Sequence, residues 1–253
     1  MSDRPVILIT NDDGALAAGI GALRRAVQSL GRVIVVAPTR EQSAMSHSIT
    51  IDRPLRHIEH EPDVHSIDGT PADCVYLALF EPRFLPRRPD LVLSGINHGP
   101  NIGSSVFYSG TVAGAREAAL RGIPAIAFSA PVGVDLAHVA DDAARLAARM
   151  LMADPVSGSA VLLNVNFPEG RAHGARVTRV GRQIYEESVI PRRDPGGREY
   201  FWIGGKVTDA GDREGTDAQA VSQGYVSVTA LALEATSPEH RHLAAHVAGL
   251  DPS

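Results

Sequence analysis

The sequence predicts an α/β fold with a mostly parallel sheet and helices on both faces. Short β-branched runs alternate with helical patterns through residues 1–170. Several of these runs are apolar throughout, which is typical of strands that are covered on both faces. Apolar residues make up 44% of the 253 residues and aromatic residues only 5%, so Val, Leu, Ile and Ala must build the core.

The first elements form a strand–helix–strand unit. Residues 6–10 are a short apolar run and predict a strand. Residues 19–30 carry apolar side chains at a spacing of three and four, which predicts one buried helical face, and Gly31 then ends the helix. Residues 32–37 predict a second strand that Pro38 stops. The crossover makes the two strands parallel neighbours.

The alternation continues along the chain. It predicts helices over 72–80, 112–121 and 136–152, and strands over 91–94, 125–128 and 161–165. From about Val177 the pattern changes: a charged, turn-rich stretch at 192–198 is followed by the apolar residues 200–203, which predicts a projecting hairpin. A strand at 225–229 and a helix at 238–247 follow. We therefore predict a single domain over 1–253, with a core of about 1–178 and 224–253 and an arm of about 179–223.

Composition excludes several classes of protein. The formal net charge is −5, which argues against a nucleic-acid polymer as partner. No apolar run approaches the ~18 residues that span a membrane, and the apolar stretch before Asn11 is too short for a secretory signal. Cys74 is the single cysteine, so an internal disulfide is excluded and a cytoplasmic location is expected. Lys206 is the single lysine and lies outside any Gly-Lys-Ser/Thr motif, which argues against P-loop and Schiff-base chemistry.

Three polar clusters follow predicted strands, at residues 10–14, 38–48 and 94–101. In an open parallel sheet, ligands bind beyond the carboxyl ends of the strands, so these clusters are expected to converge on one pocket. Asp12 and Asp13 are adjacent carboxylates, and burying both is costly unless a cation neutralises them. Oxygen ligands suit Mg²⁺ or Mn²⁺. The alternative is that Asn-Asp-Asp-Gly is only a turn that precedes the next helix.

The segment from Ser94 to Thr111 predicts a site for a phosphate group. Glycines at 95, 99, 103 and 110 allow backbone N–H groups to approach an anion closely. Ser109-Gly110-Thr111 directly precedes a predicted helix, whose N-terminus favours phosphate. The alternative is a simple N-cap by Ser109 or Thr111. His47 and His98 lie within the clusters and are the candidates for proton transfer.

Taken together, these motifs resemble the SurE family of stationary-phase survival proteins, which are metal-dependent nucleoside monophosphate phosphatases. The similarity extends in order over nearly the whole chain. One departure is Gln42-Ser43-Ala44, where the family often has Arg-Ser-Gly. The matching segments are residues 7–14 (ILITNDDG), 37–44 (APTREQSA), 69–73 (GTPAD), 94–103 (SGINHGPNIG), 108–113 (YSGTVA), 200–205 (YFWIGG) and 216–229 (TDAQAVSQGYVSVT).

The resemblance implies a site for one divalent cation, Mg²⁺ or Mn²⁺, per subunit. It assigns Asp12, Asp13, Ser43 and Asn97 as metal ligands, with Asp12 and Asn97 catalytic. It also assigns the phosphate-binding positions, which are Asn101, Ser109, Gly110 and Thr111.

The resemblance further implies hydrolysis of nucleoside 5′- and 3′-monophosphates, with short polyphosphate as a substrate of some members. It implies a Rossmann-like core with a C-terminal hairpin arm that is exchanged between subunits. From the exposed aromatic residues of that arm we predict a homodimer or homotetramer. The alternative function is a nucleotide-binding stress protein without turnover, against which the second carboxylate argues, because it would repel a phosphate.

Overall fold

The computed structural model describes residues 4–153, 161–182, 184–209 and 213–249. Within these ranges the chain forms one nine-stranded sheet, a separate two-stranded sheet, and helices. The strands are β1 (Val6–Thr10), β2 (Arg32–Pro38), β3 (His57–Glu61), β4 (Val64–Ile67), β5 (Leu91–His98), β6 (Ala125–Ala130), β7 (Leu162–Asn166), β8 (Ala175–Thr178), β9 (Ile184–Arg193), β10 (Glu199–Asp209) and β11 (Val226–Ala230). The helices are α1 (Ala18–Val27), α2 (Pro71–Phe80), α3 (Ser105–Tyr108), α4 (Gly110–Leu120), α5 (Leu136–Met152), α6 (Asp217–Ser222) and α7 (Arg241–Val247), with a 3₁₀ turn at Pro238–His240.

The large sheet has the order β3-β4-β2-β1-β5-β6-β7-β11-β8. Strands from β4 to β7 in this order are parallel, whereas β3 and β11 run antiparallel to β4 and β7. The chain moves from β1 outward to β2 on one side and later returns to β5 on the other side. This reversal creates a switch point between β1 and β5, where open α/β sheets bind their ligands.

Two apolar layers hold the sheet between helices. Ile7 and Ile9 of β1 face one layer, which includes buried side chains of α1 and α5. Leu8, from the same strand, faces the other layer, which includes buried side chains of α2 and α4. All five residues of β1 are buried, as expected for a strand that is covered on both faces. The predicted fold class is therefore confirmed.

Several boundaries differ from the sequence-based expectation. The helix predicted over 19–30 ends at Val27, and the next residues form a turn in which Leu30 N–H donates to the Val27 carbonyl. The strand predicted over 91–94 continues to His98, with an irregular register between Ser94 and Asn97. The antiparallel pair β3–β4 was not predicted, because every residue of β3 is exposed and shows no apolar alternation.

The predicted arm consists of two parts. Strands β9 and β10 pair as an antiparallel hairpin, which confirms the predicted C-terminal hairpin, and its Phe201 and Trp202 are more than 60% exposed. The segment 217–222 instead forms α6, which packs on β8 and β11 with Asp217 fully buried. The exposed part of the arm is therefore shorter than 179–223, because α6 belongs to the body. No helix in the described ranges is both long and apolar enough to cross a membrane.

Candidate active site

A cavity of about 580 Å³ lies at the carboxyl ends of β1 and β5, beside the switch point. Its wall brings together five of the eight predicted metal-binding and phosphate-binding residues: Asp12, Ser43, Asn97, Asn101 and Ser109. The remaining three, Asp13, Gly110 and Thr111, adjoin these in the chain. The predicted convergence of three strand-end clusters is thus what the fold produces.

Asp12 is the most constrained group of the site. It is 4% exposed, and its carboxylate accepts hydrogen bonds from the hydroxyl and the backbone N–H of Thr111 at the start of α4. The pKa of Asp12 is raised to about 6. Burial is the largest cause, the hydrogen bonds from Thr111 oppose the rise, and the negative charge of Asp13 adds to it. The carboxylate is therefore costly to ionise in the metal-free protein.

Helix α4 begins in direct contact with this carboxylate. A Cβ added to Gly110 would lie 2.8 Å from Asp12 Cβ and 2.9 Å from Asp12 Oδ2, so only glycine allows the approach. Ser109 is the N-cap, and its Oγ accepts the Val112 N–H at 3.0 Å. The predicted N-cap is thus present at Ser109, and its hydroxyl still has a proton to donate into the cavity. Thr111 does not cap the helix with its side chain, because its hydroxyl donates a hydrogen bond to the Asp12 carboxylate.

Asp13 has an oxygen that the protein leaves without a partner. Burial raises the pKa of Asp13, while the nearby charge and backbone N–H of His98 lower it. Its Oδ2 is buried and accepts no hydrogen bond from the part of the chain that the structure describes. A buried carboxylate oxygen without a donor indicates a missing ligand.

The turn interpretation explains Asn11 and Gly14 rather than the two aspartates. Asn11 Nδ2 donates to the Gly14 carbonyl at 3.0 Å, and the Gly14 N–H donates to Asn11 Oδ1 at 3.2 Å. The N-cap of α1 is Ala17, which makes no side-chain capping bond. Neither Asp12 nor Asp13 is needed to form the turn or to begin the helix.

Ser43 and Asn97 complete an oxygen-rich wall. Ser43 Oγ donates to Glu41 Oε1 at 2.8 Å, and Asn97 Nδ2 donates to the Gly99 carbonyl at 2.8 Å. The NH₂ group of Asn97 is therefore engaged, and the amide oxygen is the atom that would bind a cation. The loop of Ser43 is attached to β1 through the Gln42 N–H, which donates to the Asp12 carbonyl at 2.7 Å.

These donors fit a hard divalent cation. Two carboxylates, a hydroxyl and an amide supply oxygen ligands, which Mg²⁺ and Mn²⁺ prefer. Among the described residues no cluster of three or more His, Cys, Asp or Glu side chains could hold a metal, so Ser43 and Asn97 would have to supply ligands beside the two carboxylates. The raised pKa values and the unpartnered Asp13 oxygen are consistent with this fit.

The backbone of Asn101 is held by residues that the sequence analysis did not single out. Asn166 accepts the Asn101 N–H at 2.8 Å and donates to its carbonyl at 3.1 Å, and Asn164 Nδ2 donates to that carbonyl at 2.8 Å. The Asn101 side chain donates to Ser129 Oγ at 2.8 Å. The available signal was the pair of asparagines inside the apolar strand β7.

The two candidate histidines lie in different surroundings. His98 lines the cavity. His47 does not, because its Nε2 lies 2.8 Å from Glu117 Oε2. Glu117 is 3% exposed and also accepts from Arg121 at 3.0 Å. Burial raises the pKa of Glu117, but these hydrogen bonds outweigh it and hold the pKa below its usual value. His47 thus ties the Ser43 loop to α4.

The raised pKa of Asp12 predicts that Asp12→Asn stabilises the metal-free protein. A carboxyl whose folded pKa is raised to about 6 destabilises the fold above that pH, and the penalty vanishes below the unfolded pKa of about 3.8. We expect a gain of about 2 kcal/mol in unfolding free energy at pH 8 and little at pH 3.5. Denaturant unfolding in the presence of a chelator measures this change in unfolding free energy. Asp13→Asn is the control and should give a smaller gain. An equal gain at both pH values would contradict the assignment.

The backbone conformation of Ala44 leads to a second prediction about stability. Its φ is +59°, a left-handed conformation that L-residues adopt at a cost. We expect Ala44→Gly to raise the unfolding free energy by about 0.5 kcal/mol, because the relief exceeds the entropy that glycine adds to the unfolded chain. Arg40→Gly, in the same loop but without a positive φ, is the control and should destabilise. A loss of stability in Ala44→Gly would show that the strain is absent.

Comparisons with known proteins agree with this geometry. The family model described as "Survival protein SurE" matches residues 7–187. A protein of Sorangium cellulosum named 5′-nucleotidase SurE is 49% identical over 244 residues, covering 95% of each chain. A Thermus thermophilus protein named 5′-nucleotidase SurE 1 is 48% identical over 240 residues, covering 91% of this chain and 93% of its own.

A solved structure agrees as well. The crystal structure of the SurE protein from Aquifex aeolicus has a TM-score of 0.84 to this chain at 41% identity, covering 96% of this chain and 100% of its own. The family match, the full-length similarity and the shared fold lead to one conclusion: the chain belongs to the SurE family.

Proposed function

We propose that this chain is a metal-dependent phosphomonoesterase. Its substrates would be nucleoside 5′- and 3′-monophosphates, with short-chain polyphosphate as an additional substrate, and it would act in the cytoplasm with one Mg²⁺ or Mn²⁺ per chain. Relatives named 5′-nucleotidase support the nucleotidase activity. The observation that carries the proposal is the buried Asp12 carboxylate at the N-terminus of α4, beside a half-buried Asp13 that has an unpartnered oxygen.

The cavity suits a nucleoside monophosphate in size and chemistry. Its volume of about 580 Å³ lies within the usual range for small-molecule sites. The polar end holds Asp12, Asn97 and Ser109, whereas Tyr108 and Ile203 line the same cavity and are exposed. A phosphate at the polar end would therefore place its nucleoside against an aromatic and an aliphatic side chain.

The residues divide the chemical work among them. A divalent cation bound by Asp12, Asp13, Ser43 and Asn97 would supply a Lewis acid and a bound water of lowered pKa. The Ser109 hydroxyl would donate a hydrogen bond to a non-bridging phosphate oxygen, and the N-terminus of α4 favours the negative charge of the phosphate. Asn101, held by Asn166, would orient the phosphate. His98 is the cavity-lining candidate for protonating the leaving oxygen.

The alternative is a nucleotide-binding protein without turnover. Two adjacent carboxylates argue against it, because they repel a phosphate unless a cation separates them. The Asp12 carboxylate lies at the helix N-terminus that would otherwise be the phosphate site. Binding alone would favour a neutral residue there.

Phosphate release separates the two functions. We expect the protein to release phosphate from AMP or GMP in Mn²⁺ or Mg²⁺ and to stop in a chelator. Asp12→Asn should lower kcat at least about a hundredfold while the protein remains folded, because it removes a charged ligand. Asp52→Asn, at an exposed carboxylate, is the control and should retain full activity. Turnover in Asp12→Asn comparable to wild type would refute the metal role.

We also propose that the chain forms a homodimer or homotetramer through the β9–β10 hairpin, which is exchanged between subunits. Phe201, Trp202 and Ile203 are between 61% and 91% exposed in the single chain. These successive residues of β10 place exposed apolar side chains on both faces of the strand, and such side chains are usually covered by a partner. A second copy of this chain is the occupant that the proposal names.

Light scattering tests the assembly. We expect a dimer or tetramer for the wild type and a smaller species for the double variant Phe201→Ser/Trp202→Ser, because the variant removes the apolar side chains that the partner would cover. Val132→Ser removes an exposed apolar side chain outside the hairpin and should leave the mass unchanged. A monomeric wild type at micromolar concentration would rule out the assembly.

A further inference from the structure

Asp217 is a buried carboxylate that connects three separate pieces of backbone. It is fully buried at the start of α6. Its Oδ2 accepts the Gly103 N–H at 2.9 Å, and its Oδ1 accepts the Gly181 N–H at 2.7 Å and the Ala218 N–H at 2.9 Å. Two of these donors lie 114 and 36 residues away in the sequence. The side chain therefore joins distant segments rather than merely capping its own helix.

The first segment is the loop that carries the site. Residues 97–103 begin at Asn97, include Asn101, and end at Gly103. The middle of the loop is held by Asn164 and Asn166 through the backbone of Asn101. Asp217 holds its far end through Gly103. Without that acceptor the buried Gly103 N–H would have to find another partner, which displaces the loop.

The second segment is the base of the hairpin. Gly181 lies three residues before β9 begins at Ile184. A Cβ at Gly181 would lie 2.8 Å from Asp217 Oδ1 and 3.2 Å from Thr216 Cβ, so the backbone passes directly against the carboxylate. The other strand of the hairpin, β10, brings Ile203 and Gly204 to the cavity wall. The hairpin is therefore attached to the site loop at its base and meets the cavity farther along.

We propose that Asp217 is a positioning residue that couples the base of the hairpin to the loop 97–103 and so sets Asn97 and Asn101. This inference rests on the proposed function, because it takes that loop as the metal and phosphate wall. A movement at Gly181 is transmitted to Gly103 through a single carboxylate. Asp217 touches neither substrate nor cation.

Asp217→Asn tests the coupling. The variant keeps the size of the side chain but replaces one acceptor oxygen with an NH₂ group. Because Gly181 and Ala218 both donate to Oδ1, the amide oxygen stays on that side and the Gly103 N–H loses its acceptor. We expect kcat to fall about tenfold or more at saturating Mn²⁺, and the Kd for Mn²⁺ measured without substrate to rise by a similar factor. Asp90→Asn is the control: Asp90 accepts the Val6 N–H at 2.7 Å at the opposite end of the sheet, and its loss should change neither.

Gly181→Ala tests the hairpin side, and the double variant tests whether the two act together. The added Cβ pushes on the carboxylate, so Gly181→Ala should weaken Mn²⁺ binding by acting through Asp217. In Gly181→Ala/Asp217→Asn the loss should be no larger than in Asp217→Asn alone. Losses that multiply would overturn the coupling. Wild-type kcat and Mn²⁺ affinity in Asp217→Asn would overturn the positioning role.

Hydrogen exchange of the Gly103 amide separates this inference from the proposed function. It is measured without metal or substrate, in folded protein. We expect faster exchange at Gly103 in Asp217→Asn and in Gly181→Ala than in the wild type and in Asp90→Asn. Unchanged exchange in both variants contradicts the coupling, whereas a wild type that hydrolyses no nucleotide contradicts the proposed function alone.

Discussion

The burial of the Asp12 carboxylate beside Asp13 is the constraint on which the site depends. Water is largely excluded from Asp12, and the negative charge of Asp13 follows in the chain. Both effects disfavour ionisation, and the pKa of Asp12 is raised to about 6. The start of α4 contributes two donors through Thr111 but does not balance both charges. Under the proposed function, a bound divalent cation would offset this imbalance. A buried charge that costs stability in the metal-free protein is a common feature of active sites.

The rest of the sheet keeps this unfavourable pair in place. β1 is buried on both faces, so its carboxyl end cannot move away from the switch point. Gly110 lets α4 approach Asp12, and His47 ties the Ser43 loop to Glu117 on the same helix. Asn166 and Asp217 hold the opposite wall by its backbone. Backbone hydrogen bonds to buried side chains position the wall more rigidly than exposed loop contacts would.

Local patterns in the sequence were sufficient for the sheet core and for the convergence of three polar strand-end clusters on one cavity. Apolar runs at strand spacing identified β1 and β2, and polar residues at their ends identified Asp12 and Asp13. Local patterns were insufficient where long-range contacts decide. The exposed strand β3 has no apolar signal, and its pairing with β4 is visible only in three dimensions. In the sequence, Asp217 looks like an ordinary residue at the start of a helix. Its hydrogen bonds with Gly103 and Gly181 are visible only in the folded structure.

Anomalous diffraction from crystals soaked in Mn²⁺ would show whether Asp12 and Asp13 bind a cation. We expect one peak per chain within about 2.5 Å of carboxylate oxygens of both residues, with the amide oxygen of Asn97 turned toward it. The same soak of Asp12→Asn should show no peak at that position. A wild-type map without a peak there, with both carboxylates turned to bulk water, would contradict this expectation.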